Sequence, residues 1–169
     1  MDRIIGIDYG RKRTGLAVSD PLKIFASALD TVHSAKIIDY LKNYAVNETI
    51  VRFVVGYPKN MDNKPSEAAK DVDVFLKTLS KAFPDIPVTL EDERFTSVLA
   101  HRAMIDGGMK AAGRRDKASV DKISAAIILQ GYLDRNSSSH EGAANGISFV
   151  NVPDTFSTKL SKPSRNKKR

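Results

Sequence analysis

Four acidic residues stand where apolar segments end or helical ones begin, and together they could do chemistry. Asp8 closes the run Ile4-Ile5-Gly6-Ile7, Asp92 and Glu93 follow Val88-Thr89-Leu90, and Asp121 precedes an apolar stripe. Ala125, Ile128 and Tyr132 follow Asp121 at steps of four, seven and eleven, so one helix face carries them all. A carboxylate in line with such a stripe points at the protein body, where it needs hydrogen bonds, a cation or a metal. The chain has no cysteine, and its three histidines (His33, His101, His140) lie in unrelated contexts. Oxygen donors of this kind suit hard divalent cations, Mg²⁺ or Mn²⁺. Two such ions about 4 Å apart can activate a water and stabilise the leaving oxygen of a phosphodiester. Each acid also has a plainer reading. Asp8 could shape a turn, Asp121 could cap a helix within its first turn, and Asp92 or Glu93 could be a solvated strand end bridged to Arg94.

Basic residues accompany the acids. Arg11, Lys12 and Arg13 follow Asp8 at once, and Lys110, Arg114, Arg115 and Lys117 form a polar, poorly periodic stretch expected to be a mobile basic loop. Both groups could face a phosphate backbone and give salt-dependent, largely sequence-independent affinity.

The elements that must position these residues follow from periodicity. Ile4–Ile7 and Gly15–Val18 are β-prone runs joined by a tight basic turn, hence a hairpin. Ile24–Val32 extends it to an antiparallel meander of three. Ile37, Ile38, Leu41, Tyr44 and Ala45 recur at helical spacing, with Ser34 as the expected N-cap. Val51–Gly56 is a continuous apolar strand of the kind buried on both faces. A second helix starts at Ser66 and presents Ala69, Val72, Phe75, Leu76 and Leu79. Val88–Leu90 is a fifth strand, a third helix runs from Ser97 to Asp106 before Gly107-Gly108, and the last helix covers Ser119–Leu133. The order β-β-β-α-β-α-β-α-α specifies an α/β fold with a mixed sheet of five strands, three antiparallel then two parallel, and helices on both faces. Right-handed crossovers place strands four and five beside strand one, and chemistry in such sheets collects beyond the carboxyl ends of the strands.

Length, 169 residues, fits one folded domain over 1–135 followed by a basic tail, 136–169, expected to be mostly disordered. Of the net charge of +7, +4 belongs to the residues from Asn136 onward. The excess suggests a polyanion partner only weakly, and the clustering of charge matters more. Disulfides and thiolate metal sites are excluded. No apolar run approaches a membrane span and the start resembles no signal or transit peptide, so a soluble cytoplasmic protein is expected.

Four motifs in order also carry a resemblance. Ile7-Asp8-Tyr9-Gly10 with Lys12-Arg13 and Gly15–Asp20, Val55-Gly56-Tyr57-Pro58 with Met61-Asp62, Asp92–Ser97, and Asp121 with Ser124–Gln130 resemble the YqgF (RuvX) family over about Arg3 to Leu133. That resemblance implies an RNase H-like fold and a metal-dependent nuclease, a Holliday-junction resolvase homologue associated mainly with maturing the 5′ end of the 16S ribosomal RNA precursor. By motif it implies Asp8, the Asp92/Glu93 pair and Asp121 as catalytic and metal-holding acids. Tyr57 stands where the family usually has Leu, and Asn63 replaces a common Gly. True resolvases of the RuvC kind carry an acid near strand four, which ends here in Gly56-Tyr57-Pro58, so the strand-five acids must substitute. Asp92 shares the side-chain parity of Val88 and Leu90, Glu93 that of Thr89 and Glu91. Both are kept, with Asp92 ranked slightly ahead.

The expected partner is structured nucleic acid, precursor ribosomal RNA before branched DNA, bound by a monomer or homodimer. A non-catalytic RNA-binding module is a further reading. Nucleotide phosphotransfer is another, because Asp8-Tyr9-Gly10 to Gly15 also looks like the phosphate hairpin of actin-like kinases. Those proteins need a second, duplicated domain, for which this chain has no room.

Overall fold

The computed structural model describes residues 1–58, 67–92, 96–108 and 116–137, except the side chains of 96–98 and 137. Five strands, β1 (Asp2–Tyr9), β2 (Arg13–Ser19), β3 (Ala26–His33), β4 (Thr49–Tyr57) and β5 (Val88–Asp92), form one sheet in the order β3-β2-β1-β4-β5. β1, β2 and β3 pair antiparallel, while β1–β4 and β4–β5 are parallel. Strands four and five therefore lie on the β1 side, as right-handed crossovers require.

Among the described residues, α1 (Ile37–Asn47) and α2 (Glu67–Ala82) pack on one face of the sheet and α4 (Lys117–Ser137) on the other, with α3 (Thr96–Asp106) against α4. Side-chain alternation splits the core in two. Ile5, Ile7, Leu16, Phe53 and Val55 point to one face and pack with Ile37 and Leu41 of α1 and Val72, Phe75 and Leu79 of α2. Ile4, Ala17 and Val54 point to the other and pack with Ala125, Ile128, Leu129 and Leu133 of α4. Burying each such aliphatic or aromatic side chain contributes about 1.5–3 kcal/mol. Among the described residues, no helix is long and apolar enough to cross a membrane.

Most elements run a few residues longer than the sequence expectation, and at three boundaries a side-chain hydrogen bond causes the difference. Ile24 and Phe25 belong to the β2–β3 turn, because their backbone N–H groups donate to the Asp20 carboxylate at 2.7 and 2.8 Å. Ser34 does not cap α1. A 3₁₀ turn (Ser34–Lys36) intervenes, and His33 Nδ1 accepts from the Ala35 N–H. The last helix starts at Lys117, two residues early, because Asp116 caps it, accepting from the N–H groups of Ala118 and Ser119 at 3.3 and 3.1 Å. Lys117 is thus helical. The remainder of the expected basic loop, Lys110, Arg114 and Arg115, and the tail beyond 137 lie outside the described residues.

At the amino end of the sheet, Arg3 grips Glu48 through Nε and Nη2, both at 3.3 Å, and donates to the Ser19 carbonyl at 3.0 Å. The hydrogen bond from Arg3 holds the Glu48 carboxyl below its ordinary value of 4.5. A depressed carboxyl stabilises the fold fully above its ordinary value and loses that contribution as pH falls through the folded value. Urea unfolding at stepped pH is expected to show Glu48→Gln less stable than wild type at pH 7, the gap closing as pH drops below 4.5.

Candidate active site

Asp8 sits near the carboxyl end of β1, paired in register with Gly15 of β2. It shares the parity of Ile4 and Gly6, both of which face α4, so Asp8 faces α4 as well. The helix comes unusually close there. A Cβ on Gly15 would lie 2.0 Å from the Asp121 carbonyl oxygen and 2.2 Å from its carbon. One on Gly6 would lie 2.9 Å from the Ala125 carbonyl oxygen and 2.7 Å from Leu129 Cβ. Two glycines on adjacent strands thus make a floor on which the α4 backbone rests, and that floor sets Asp121 beside the strand partner of Asp8.

Asp121 is half-buried, its side chain 25% exposed. It is not a capping acid. Asp116 fills that role, five residues earlier, and the hydrogen bond from the Ser119 hydroxyl, first of several, holds the Asp116 carboxyl below the usual range. Asp121 falls in the second turn and its Oδ2 accepts from Arg13 Nε at 2.8 Å. Arg13 lies two residues before Gly15 on β2, hence on the same sheet face.

The turn that carries Arg13 is firmly held. Gly10 N–H donates to the Arg13 carbonyl at 3.0 Å, and Ser34 N–H to the Lys12 carbonyl at 3.1 Å. The Ser34 hydroxyl donates to the Gly10 carbonyl at 2.5 Å. With its one proton so engaged, Ser34 Oγ accepts from the fully buried Thr14 hydroxyl at 2.9 Å.

The three cations of that turn go to different places. Arg13 meets Asp121. Arg11 turns to the opposite face and pairs with Asp71 and Glu67 of α2. Lys12 between them is exposed. Beside Arg11, Tyr9 stacks on Phe75 with ring centroids 4.3 Å apart, and burial raises its phenol pKa.

On β5 the two parities separate. Thr89 accepts from Arg52 Nη1 at 2.9 Å, and Glu91 pairs with Arg135 of α4, so this parity faces α4. Asp92 is exposed and in register with Tyr57, whose hydroxyl donates to Asp73 of α2 at 3.1 Å. Asp92 therefore belongs to the α2 face, opposite that of Asp8 and Asp121. Glu93 and Arg94 lie outside the described residues. Among the described residues, no three His, Asp or Glu side chains gather as a metal-holding group; Asp8 and Asp121 are the acids brought to one corner.

Sequence reasoning missed the Arg13–Asp121 pair, the Ser34–Gly10–Thr14 latch and the glycine floor, all contacts between distant segments. It also missed the Asp116 cap, which a local signal announces: Asp116 precedes Ser119 by three residues at a helix start.

Comparison with known proteins adds to this geometry. A family model described as RuvX, Holliday junction resolvase, matches residues 2–135. A Bacteroides fragilis protein named "Putative pre-16S rRNA nuclease" is 52% identical over 134 residues, spanning 79% of this chain and 97% of the relative. A Parabacteroides distasonis protein of the same name is 54% identical over 134 residues, spanning 79% and 96%. Among solved structures, T. thermophilus RuvC in complex with a Holliday junction superposes with a TM-score of 0.52 at 19% identity, covering 82% of this chain and 98% of that one. Fowlpox virus resolvase in complex with Holliday junction DNA gives 0.50 at 10% identity, covering 79% and 98%. At these identities the likeness concerns fold, which is RNase H-like.

The glycine floor makes a sharp prediction. Gly15→Ala must lift α4 off β2, because the obstructing atoms are backbone, and is expected to cost at least about 2 kcal/mol. Loss of the Ser34 hydroxyl strands the buried Thr14 hydroxyl and the Gly10 carbonyl, so Ser34→Ala should cost about 1–3 kcal/mol. Urea unfolding followed by circular dichroism measures both.

Proposed function

The chain belongs to the RuvX family, and from that membership and the Asp8–Asp121 corner we propose that it is a metal-dependent nuclease. Its substrate on this reading is the 16S ribosomal RNA precursor, as the names of its relatives suggest, cut at the 5′ end as the motif resemblance implies. The observation that carries the reading is the placement of two carboxylates on one face at the carboxyl end of β1, where α/β sheets place their chemistry.

The donor set fits a hard divalent cation, Mg²⁺ or Mn²⁺: both side chains offer oxygen, and the chain has no thiolate to favour a softer ion. Asp8 and Asp121 would hold it, with a further acid from the end of β5. Of the two candidates there we favour Glu93, since Asp92 lies on the α2 face, away from Asp8 and Asp121. A divalent pair in such a site lowers the pKa of bound water and neutralises charge at the scissile phosphate. The protein's own part is to fix the acids and offer cations to the polynucleotide. Arg13 and Lys12 would contact phosphates next to the cut, and Lys117, exposed at the start of α4, would meet the backbone farther out. Arg11 is committed to Asp71 and Glu67, but exposed ion pairs of this kind contribute little, so phosphate could draw it away. Arg94, Lys110, Arg114 and Arg115 complete the proposed basic surface by sequence.

Branched DNA is the second reading, favoured by the fold shared with junction resolvases. Cutting two strands symmetrically would take two active sites, hence a homodimer.

Wild type and Asp8→Asn are to be incubated with 16S precursor RNA and, separately, with a four-way DNA junction, each with Mn²⁺ and with EDTA. Removing a direct ligand should cost more than the 10–100-fold typical of residues behind one, so Asp8→Asn is expected to lose at least about 100-fold in cleavage. Preferential cutting of the junction would move the substrate to DNA. Equal cleavage by both proteins would remove Asp8 from the mechanism.

A further inference from the structure

Arg13 touches Asp121, an acid of the proposed site, at a carboxylate oxygen that a metal could take. Its Nε donates to Asp121 Oδ2 at 2.8 Å, with Asp121 25% and Arg13 41% exposed. Burial of this degree makes a charge-assisted hydrogen bond stronger than one in open water. The hairpin latch leaves the Arg13 backbone little freedom: the Arg13 carbonyl is tied to Gly10, the Gly10 carbonyl to Ser34, and the Lys12 carbonyl to the Ser34 N–H. The guanidinium can therefore swing while its root stays put at the mouth of the site.

We infer that Arg13 is the resident counter-cation of this site, competing with a divalent metal for Asp121 and passing to a substrate phosphate when it lets go. This rests on the nuclease reading above. The physical argument is one of shared charge. Arg13 and a divalent ion on the same Asp121 carboxylate repel each other and share its one negative charge, so binding of the ion weakens the Arg13 contact and leaves the guanidinium charge beside it. A phosphate oxygen relieves the repulsion by accepting from the guanidinium, in the bidentate manner that arginine favours. Metal and polynucleotide thus bind with positive coupling, each lowering the cost of the other, and the coupling is reciprocal. Arg13 also keeps Asp121 paired when no substrate is present, which disfavours idle metal binding.

The test is Mn²⁺ binding to the full chain, measured by titration calorimetry for wild type, Arg13→Gln, Arg13→Lys and Asp121→Asn. Circular dichroism confirms that each variant is folded. Arg13→Gln is expected to bind Mn²⁺ about tenfold more tightly than wild type, while Arg13→Lys, which keeps the charge, stays within about threefold of it. In the Asp121→Asn background, adding Arg13→Gln should change nothing. A structured 2′-O-methyl RNA, its integrity after the titration checked on a gel, should tighten Mn²⁺ binding in wild type and not in Arg13→Gln. Equal Mn²⁺ affinity in wild type and Arg13→Gln would overturn the competition while leaving the nuclease reading in place. Failure of the RNA to tighten Mn²⁺ binding in wild type would overturn the transfer to phosphate. Absence of Mn²⁺ binding in every protein would overturn the metal reading itself, and this inference with it.

Discussion

The peptide of Asp121 occupies the space where a side chain on Gly15 would begin, and much of the molecule depends on that contact. Strands and helices usually keep a side-chain layer between them. Here the layer is missing at one point, so α4 descends until its backbone meets β2. Four residues along, α4 meets Gly6 on β1, and farther on Arg135 reaches Glu91 on β5. The helix therefore crosses the sheet obliquely from β2 to β5. Its position is set by hard backbone contacts at one end and by an ion pair at the other. A carboxylate carried by such a helix has little positional freedom, which suits a site whose chemistry depends on fixed oxygens.

The hairpin turn shows how one local sequence can serve two faces. Arg11, Lys12 and Arg13 are consecutive, but neighbouring side chains leave a strand end in opposite directions. Arg13 enters the α4 side and finds Asp121; Arg11 enters the α2 side and finds Asp71 and Glu67. A cluster of three positive charges in the sequence is thus not a cluster in space. Its potential is partly cancelled on each face by acids from helices more than fifty residues away in the chain. The same separation applies at β5, where Glu91 and Asp92 are adjacent yet belong to different faces.

The architecture was legible because its signals are local and redundant. Apolar runs at Ile4–Ile7 and Val51–Gly56, helical spacing through α1, α2 and α4, and alternation of helix with strand define a five-stranded mixed sheet before any contact is known. The stripe Asp121, Ala125, Ile128, Tyr132 also showed that Asp121 points inward, and the buried Ala125 and Ile128 agree. At three boundaries a side chain took a backbone hydrogen bond: Asp20 claimed Ile24 and Phe25 for a turn, His33 capped a 3₁₀ turn ahead of α1, and Asp116 started α4 early.

By itself, the sequence determined which residues are acidic, which strand or helix each belongs to, and the side-chain parity of every strand residue. These are properties of a chain a few residues at a time. Tertiary structure alone decided which parity faces α4, and so separated Glu91 from Asp92. It alone turned Ser34 from a helix cap into the latch of the Gly10 turn, and paired Arg13 with an acid 108 positions away. The physical reason is that a strand presents two equivalent faces until something packs on one of them. Gly6 and Gly15 mark the face on which α4 packs, but a missing Cβ has that meaning only once the helix that fills its place is known.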